Sequence, residues 1–312
     1  MNRRRLAALT SALGLVIAAL GFAFVVRTIS REYDGARDAI ADAGVGWLVA
    51  AIPVALVGMT LVGVPWRRSM ALLGAAPRLA DTLVWYFLGQ LGKYVPGTLW
   101  PVVGRAELAR RGGVARPTAY GSVVLTLGAT YLAAMLVVIA FLPFGDGTGG
   151  QWWVLVLLPL GLLVLNPALL RWGKRLVERV VKREIDVIIP PWRDSVLLVL
   201  WHAPAWFVIG TATWLVARAF DPTAEWAELM VPSVLSWIVG FVVVPAPGGI
   251  GVREAAFTAA ATSLDDGVGA TVAIVSRLVF MLVDALGAMG AALSGRSRPS
   301  PSAPLAGDPG AT

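Results

Sequence analysis

Cysteine is absent from the 312-residue chain, and histidine occurs once, as His202. The first absence removes disulfides, thiolate metal ligands and cysteine nucleophiles; the second removes any multi-histidine metal centre. No Gly-Lys-Ser/Thr loop is present, so the phosphate cradle of a P-loop hydrolase is missing as well. Charge is also scarce, with 14% charged residues against 57% apolar ones, too little to clothe a soluble globule. No cofactor, metal or catalytic residue is expected, and enzymatic activity is not the first expectation. The net charge of +7 does not point to nucleic acid, because the basic residues flank apolar runs instead of forming one patch interleaved with aromatics.

What the chain has in abundance is apolar length. About 20 apolar residues cross the roughly 30 Å hydrocarbon core of a bilayer, and six stretches qualify: Leu6 to Val26, Gly44 to Val64, Thr118 to Leu142, Gln151 to Leu170, Ser195 to Val216 and Val268 to Leu293. The first follows "MNRRR" but is longer than a signal-peptide core of about 7 to 15 residues, so it is expected to be retained. The expected fold is therefore all-α and polytopic. Trp47, Trp66, Trp152, Trp153, Trp172 and Trp192 lie near span ends, as an interfacial belt requires.

Short basic loops stay in the cytoplasm. The segment from Arg171 to Arg193 has seven basic residues against three acidic ones; it is expected inside, together with the Arg-rich amino terminus and the carboxyl terminus of a multi-pass cell-membrane protein. Arg110, Arg111 and Arg116 enforce the same orientation and attract anionic lipid. The orientation closes only if two further segments, Leu79 to Arg111 and Leu229 to Ser263, cross the membrane an even number of times. Each has about 34 residues where two full spans need roughly 40, so both are expected to be re-entrant hairpins.

Their tips are "KYVPGTLWPVVGR" and "VVVPAPGGIGVRE". Pro96 and Gly97 turn the first; Pro245, Pro247, Gly248, Gly249 and Gly251 turn the second. The order of span, span, hairpin, span then occurs twice. Three crossings separate the hairpins, so they enter from opposite faces: an inverted repeat of roughly 1–145 and 146–295 within a membrane domain of 1–295, followed by a Pro/Ser/Gly-rich, disordered cytoplasmic tail at 296–312. Non-helical backbone at membrane depth needs cover from protein or a water-filled cavity, so two tips meeting near the midplane make a polar site.

Candidate substrate-binding residues are those whose charge falls in or beside these segments: Lys93, Arg105, Glu107, Arg253, Glu254 and Arg277. A charge inside a span costs about 2.5 to 3.5 kcal/mol and needs a partner or a task. Arg277 has Asp284 seven residues on, roughly 10 Å along the same helix. It serves either as a structural pair or as a phosphate-binding fork. Lys93 either binds or snorkels to the interface; Glu107 and Glu254 either pair with the neighbouring arginines or complement a helix dipole. His202, beside Trp201 near a span end, is expected at the interface.

"GKYVPGTLW" followed by Arg105, "PAPGGIGVREAAF" and "SRLVFMLVDALG" resemble the recurring blocks of the lysylphosphatidylglycerol synthase transmembrane region, a flippase-like family, over nearly the whole chain to about Gly295. The resemblance implies movement of an anionic or modified phospholipid, or a lipid-linked glycan, between leaflets. It also implies that the soluble synthase domain of multidomain relatives is missing from this chain. Membrane lipids with anionic headgroups are the expected partners, and an oligomer is compatible with the sequence. Three other readings stand beside the translocator: a membrane-embedded transferase using Glu107 or Glu254 as base, a small-solute or ion transporter of the same architecture, and a scaffold.

Overall fold

The computed structural model describes residues 44–94, 100–144, 153–242 and 251–294. Among the described residues there are ten α-helices, two 3-10 turns and no strand. The helices are α1 (Val45–Leu72), α2 (Leu79–Gln90), α3 (Trp100–Arg111), α4 (Arg116–Phe141), α5 (Trp153–Val164), α6 (Pro167–Val181), α7 (Trp192–Phe220), α8 (Trp226–Val242), α9 (Val252–Ala260) and α10 (Asp266–Ser294). The expected first span, the tail, and Pro96, Gly97, Pro245, Pro247, Gly248 and Gly249 lie outside the described residues.

Among the described residues four helices are long and apolar enough to cross a membrane: α1, α4 with its 3-10 extension to Phe144, α7 and α10 from Gly267, each of 28 or 29 residues. At 1.5 Å per residue such a helix is about 42 Å long, ample for the hydrocarbon core. They coincide with four of the six expected spans and overrun them by between one and eight residues at one or both ends. The expected span from Gln151 to Leu170 needs correction. Helix α5 stops at Val164, Asn166 accepts a hydrogen bond from the Ala168 amide at 2.9 Å, and Pro167 opens α6 on an axis bent by 68°. An Asx cap followed by proline starts a new helix better than it continues an old one, a signal that hydropathy alone passes over.

Small residues and hydroxyls bring the long helices together, as expected where lipid supplies no hydrophobic drive between helices. A Cβ on Gly58 of α1 would lie 2.9 Å from Cγ1 of Ile209 on α7, so α1 and α7 approach closely. Trp66 Nε1 donates to Ser122 Oγ at 3.0 Å and Thr126 Oγ1 to Ser69 Oγ at 2.6 Å, joining α1 to α4. Trp206 Nε1 donates to the Thr130 carbonyl at 2.7 Å, joining α7 to α4. Trp66 is consequently a core residue and not part of an interfacial belt, whereas Trp47, Trp172 and Trp192 are exposed.

The helices between the long ones are short. Helices α2 and α3, of 12 residues each, pack against one another, as do α8 and α9, of 17 and nine. Each pair also packs on the long helix that belongs to the other half of the chain: α2 on α10, and α8 on α4. Helix α1 is in contact with α2, α4, α7 and α10, and α7 with α8, α10, α1 and α4.

Candidate functional site

The two short-helix pairs converge on one face of α10. Its Arg277 is 4% exposed and its Asp284 fully buried, and seven residues is two turns, so both side chains point the same way. The spacing that suggests they pair with each other in fact separates them by too much for a bond. Asp284 instead receives Lys93 Nζ at 2.5 Å and the Tyr94 hydroxyl at 2.5 Å, both from the 3-10 turn that ends α2. Arg277 Nη1 donates to Glu254 Oε1 on α9. Each partner comes from a different helix pair, so α10 is the post to which both are fastened.

Glu254 has a second task. Gly251 adopts a φ of 81°, a conformation that glycine alone enters without cost, and its amide donates to Glu254 Oε2 at 2.7 Å. One carboxylate thus holds the first turn of α9 and neutralises Arg277. Lys93 does not snorkel: half-buried, it is turned inward onto Asp284, with Tyr94 (5.3 Å from Nζ to the ring centroid) and Trp237 (5.6 Å) beside it.

Arg105 and Arg253 occupy matching places. Arg105 on α3 lies over the ring of Tyr86 at 4.8 Å and against Gly89, three residues after that tyrosine. Arg253 on α9 lies over the ring of Trp237 at 3.7 Å and against Gly240, three residues after that tryptophan. In both pairs glycine lets the returning helix come close, and the ring one turn earlier receives the guanidinium, a contact worth about 2 kcal/mol or more when water is excluded. Arg105 Nη2 also donates to Gln90 Oε1, whose amide donates to the Tyr86 hydroxyl at 3.0 Å. At the corresponding place beside Gly240 stands Phe241, stacked on Tyr131 at 4.3 Å. Among the described residues Arg253 has no hydrogen-bond or carboxylate partner.

The charge balance of the cluster follows. Among the described residues Lys93 is matched by Asp284 and Arg277 by Glu254, while neither Arg105 nor Arg253 touches a carboxylate. Two cations are thus left, among the described residues, without a carboxylate. Arg105 Nε and Trp237 Nε1 are, among the described residues, buried donors without hydrogen-bond partners. Such a locus attracts an anion with several acceptor oxygens.

Of the six candidate binding residues, five meet here and one does not. Glu107 faces outward on α3, held by Arg110 through two bonds of 2.8 and 2.7 Å and by Arg111 at 3.3 Å. Tyr86, Gln90, Tyr94, Trp237 and Asp284 complete the cluster although sequence reasoning did not place them in the site. The pattern aromatic-x-x-Gly followed by Arg, repeated as Tyr86, Gly89, Arg105 and Trp237, Gly240, Arg253, is the signal that could have found two of them. His202 also needs correction. It is fully buried and bonded through Nδ1 to the Leu198 carbonyl at 2.7 Å, while the adjacent Trp201 is 62% exposed. A 100° helical step sends neighbours to different faces, so the tryptophan faces outward and the histidine does not.

Long apolar helices around a buried, charge-bearing centre define a polytopic helical membrane protein. Residues 11–289 match the model of the family described as lysylphosphatidylglycerol synthase TM region, and the chain belongs to that family. No curated protein matches it.

Proposed function

We propose that this protein is a lipid translocator that takes an anionic or modified phospholipid, or the phosphate of a lipid-linked glycan, at the Arg105 and Arg253 cluster and passes it between leaflets. The observation that carries the reading is the pair of guanidiniums that have no carboxylate partner among the described residues, one from each short-helix pair, each laid on an aromatic ring. A guanidinium presents a permanent charge and a fork of donors suited to phosphate oxygens. Family membership supports a lipid-related role in the membrane.

On this reading α2–α3 and α8–α9 are re-entrant hairpins. At 1.5 Å per residue, α3 and α9 reach only about 18 and 14 Å, short of the roughly 30 Å core. The inverted repeat is supported by the packing. When α1 is exchanged for α7, α2 for α8, α3 for α9 and α4 for α10, every principal contact among these eight helices maps onto another: α1–α4 onto α7–α10, α2–α10 onto α8–α4, α1–α10 onto α7–α4, and α1–α7 onto itself. Alternating access through such a frame moves the headgroup through the protein while acyl chains stay in the bilayer. The basic segment from Arg171 to Arg193 then lies in the cytoplasm. A transferase reading has less to draw on, because Glu254 is committed to Arg277 and the Gly251 amide and Glu107 to Arg110.

The test is leaflet exchange of fluorescent phosphatidylglycerol, aminoacylated phosphatidylglycerol and a polyprenyl-phosphate-linked sugar in proteoliposomes. Acceleration of at least one, lost in an Arg105→Ala, Arg253→Ala variant that keeps its helical circular dichroism and elutes as the same species in detergent, is the expected result. No acceleration of any by the unaltered protein rejects the proposal.

A further inference from the structure

Helix α6 has no buried residue, and among the described residues its principal packing partner is α5. Its start is fixed by the Asn166 cap and Pro167, its end by Lys182 at a φ of 52°. At about 100° per residue, Leu169, Trp172, Leu176, Val177 and Val180 share one half of its surface, and all are exposed, Trp172 by 60% and Val180 by 76%. Arg171, Lys174, Arg175 and Arg179 share the other half with a single carboxylate, Glu178. An apolar half this large, left open to solvent, requires a cover.

The preceding helix says what the cover is. Helix α5 exposes Leu155, Val156, Leu160 and Leu163, as a helix surrounded by lipid does. With α5 upright in the bilayer, the 68° bend sets α6 roughly 20° from the membrane plane. The joint is held: Trp192 Nε1 donates to the Leu162 carbonyl at 3.0 Å, and Glu178 accepts the Ile185 amide at 2.9 Å. A helix lying in the interface with leucine, valine and tryptophan on one half and cations on the other matches a bilayer whose surface is anionic.

We infer that α6 is an interfacial helix that docks on the anionic lipid surface of the protein's own membrane, apolar half submerged and Arg171, Lys174, Arg175 and Arg179 at the headgroups. This rests on the chain's being a membrane protein and not on the translocator reading, so each can fail alone. The docked helix gathers anionic lipid beside the protein and fixes the depth of α5.

The absence of cysteine makes the test direct. Leu176→Cys, Val180→Cys and Arg175→Cys variants of the full chain, each spin-labelled and placed at one copy per nanodisc, are compared for collision with oxygen and with an aqueous nickel chelate. In phosphatidylcholine with phosphatidylglycerol, labels at 176 and 180 should favour oxygen several-fold and the label at 175 should favour nickel. Omitting phosphatidylglycerol, or reversing Arg171 and Arg179 to Glu, should shift the 176 and 180 labels toward water by about fivefold per cation lost. Labels at 176 and 180 as open to nickel as that at 175 overturn the inference. So does a 176 label shielded from both reagents and dipole-coupled between copies when two copies share a disc, which would assign the apolar half to a second copy.

Discussion

The two short-helix pairs carry the same arginine-on-aromatic arrangement but fasten to α10 with charges of opposite sign. The first offers a cation, Lys93, to Asp284; the second offers an anion, Glu254, to Arg277. The difference is instructive. Two cationic fasteners would require two carboxylates on α10 and leave the centre dependent on every one of them. Opposite fasteners leave α10 neutral and cancel each other, so the surplus charge resides in the repeated element, Arg105 and Arg253. On the proposed function, fastening and binding fall to different residues, and substitutions should separate them.

The largest effects should fall on the fasteners. Glu254→Leu strands Arg277 at 4% exposure and frees the Gly251 amide; stability, read as a thermal midpoint in detergent, should drop by about 3 to 5 kcal/mol. A Glu254→Leu, Arg277→Met double variant should recover most of that loss. Asp284→Asn should come next, at about 3 kcal/mol, because it unpairs Lys93 and weakens the Tyr94 bond. Equal midpoints for Asp284→Asn and the unaltered protein would remove α10 as the common post.

The proposed binding pair, Arg105 and Arg253, should behave otherwise. Arg253→Lys keeps charge but loses the flat stack on Trp237, and lipid exchange should fall about tenfold with a stability cost near 1 kcal/mol. Arg105→Lys should cost slightly more stability, since Gln90 also loses its partner. Glycine substitutions sharpen the comparison. A Cβ on Gly89 meets the Arg105 side chain and lies 3.1 Å from its backbone nitrogen, whereas one on Gly240 comes no nearer than 3.2 Å to Arg253 Cβ. Gly89→Ala should therefore cost about 1 to 3 kcal/mol and Gly240→Ala under about 1. The smallest effect is expected for Glu107→Gln, within about 0.5 kcal/mol, because its partners Arg110 and Arg111 are solvent-exposed.

Hydropathy and charge made the long helices legible, because a bilayer demands about 20 apolar residues wherever a helix crosses it. They also marked Lys93, Arg105, Arg253, Glu254 and Arg277 as residues in need of an explanation. Break points were harder. Asn166-Pro167 ended α5 inside what reads as one apolar run, and Trp66 and His202 were assigned to the interface from nearness to span ends, which says nothing about the face of the helix they occupy.

By itself, then, the sequence determined that the chain lives in a membrane, where most of its long helices lie, and which charges are costly enough to demand partners. The choice of partners belonged to the tertiary structure alone. Asp284 bonds Tyr94 across 190 positions and Arg277 bonds Glu254 across 23, while the tempting neighbours within α10 stay two turns apart. The physical reason is that a helix fixes the direction of a side chain locally, but only the packing of other helices decides what stands in that direction.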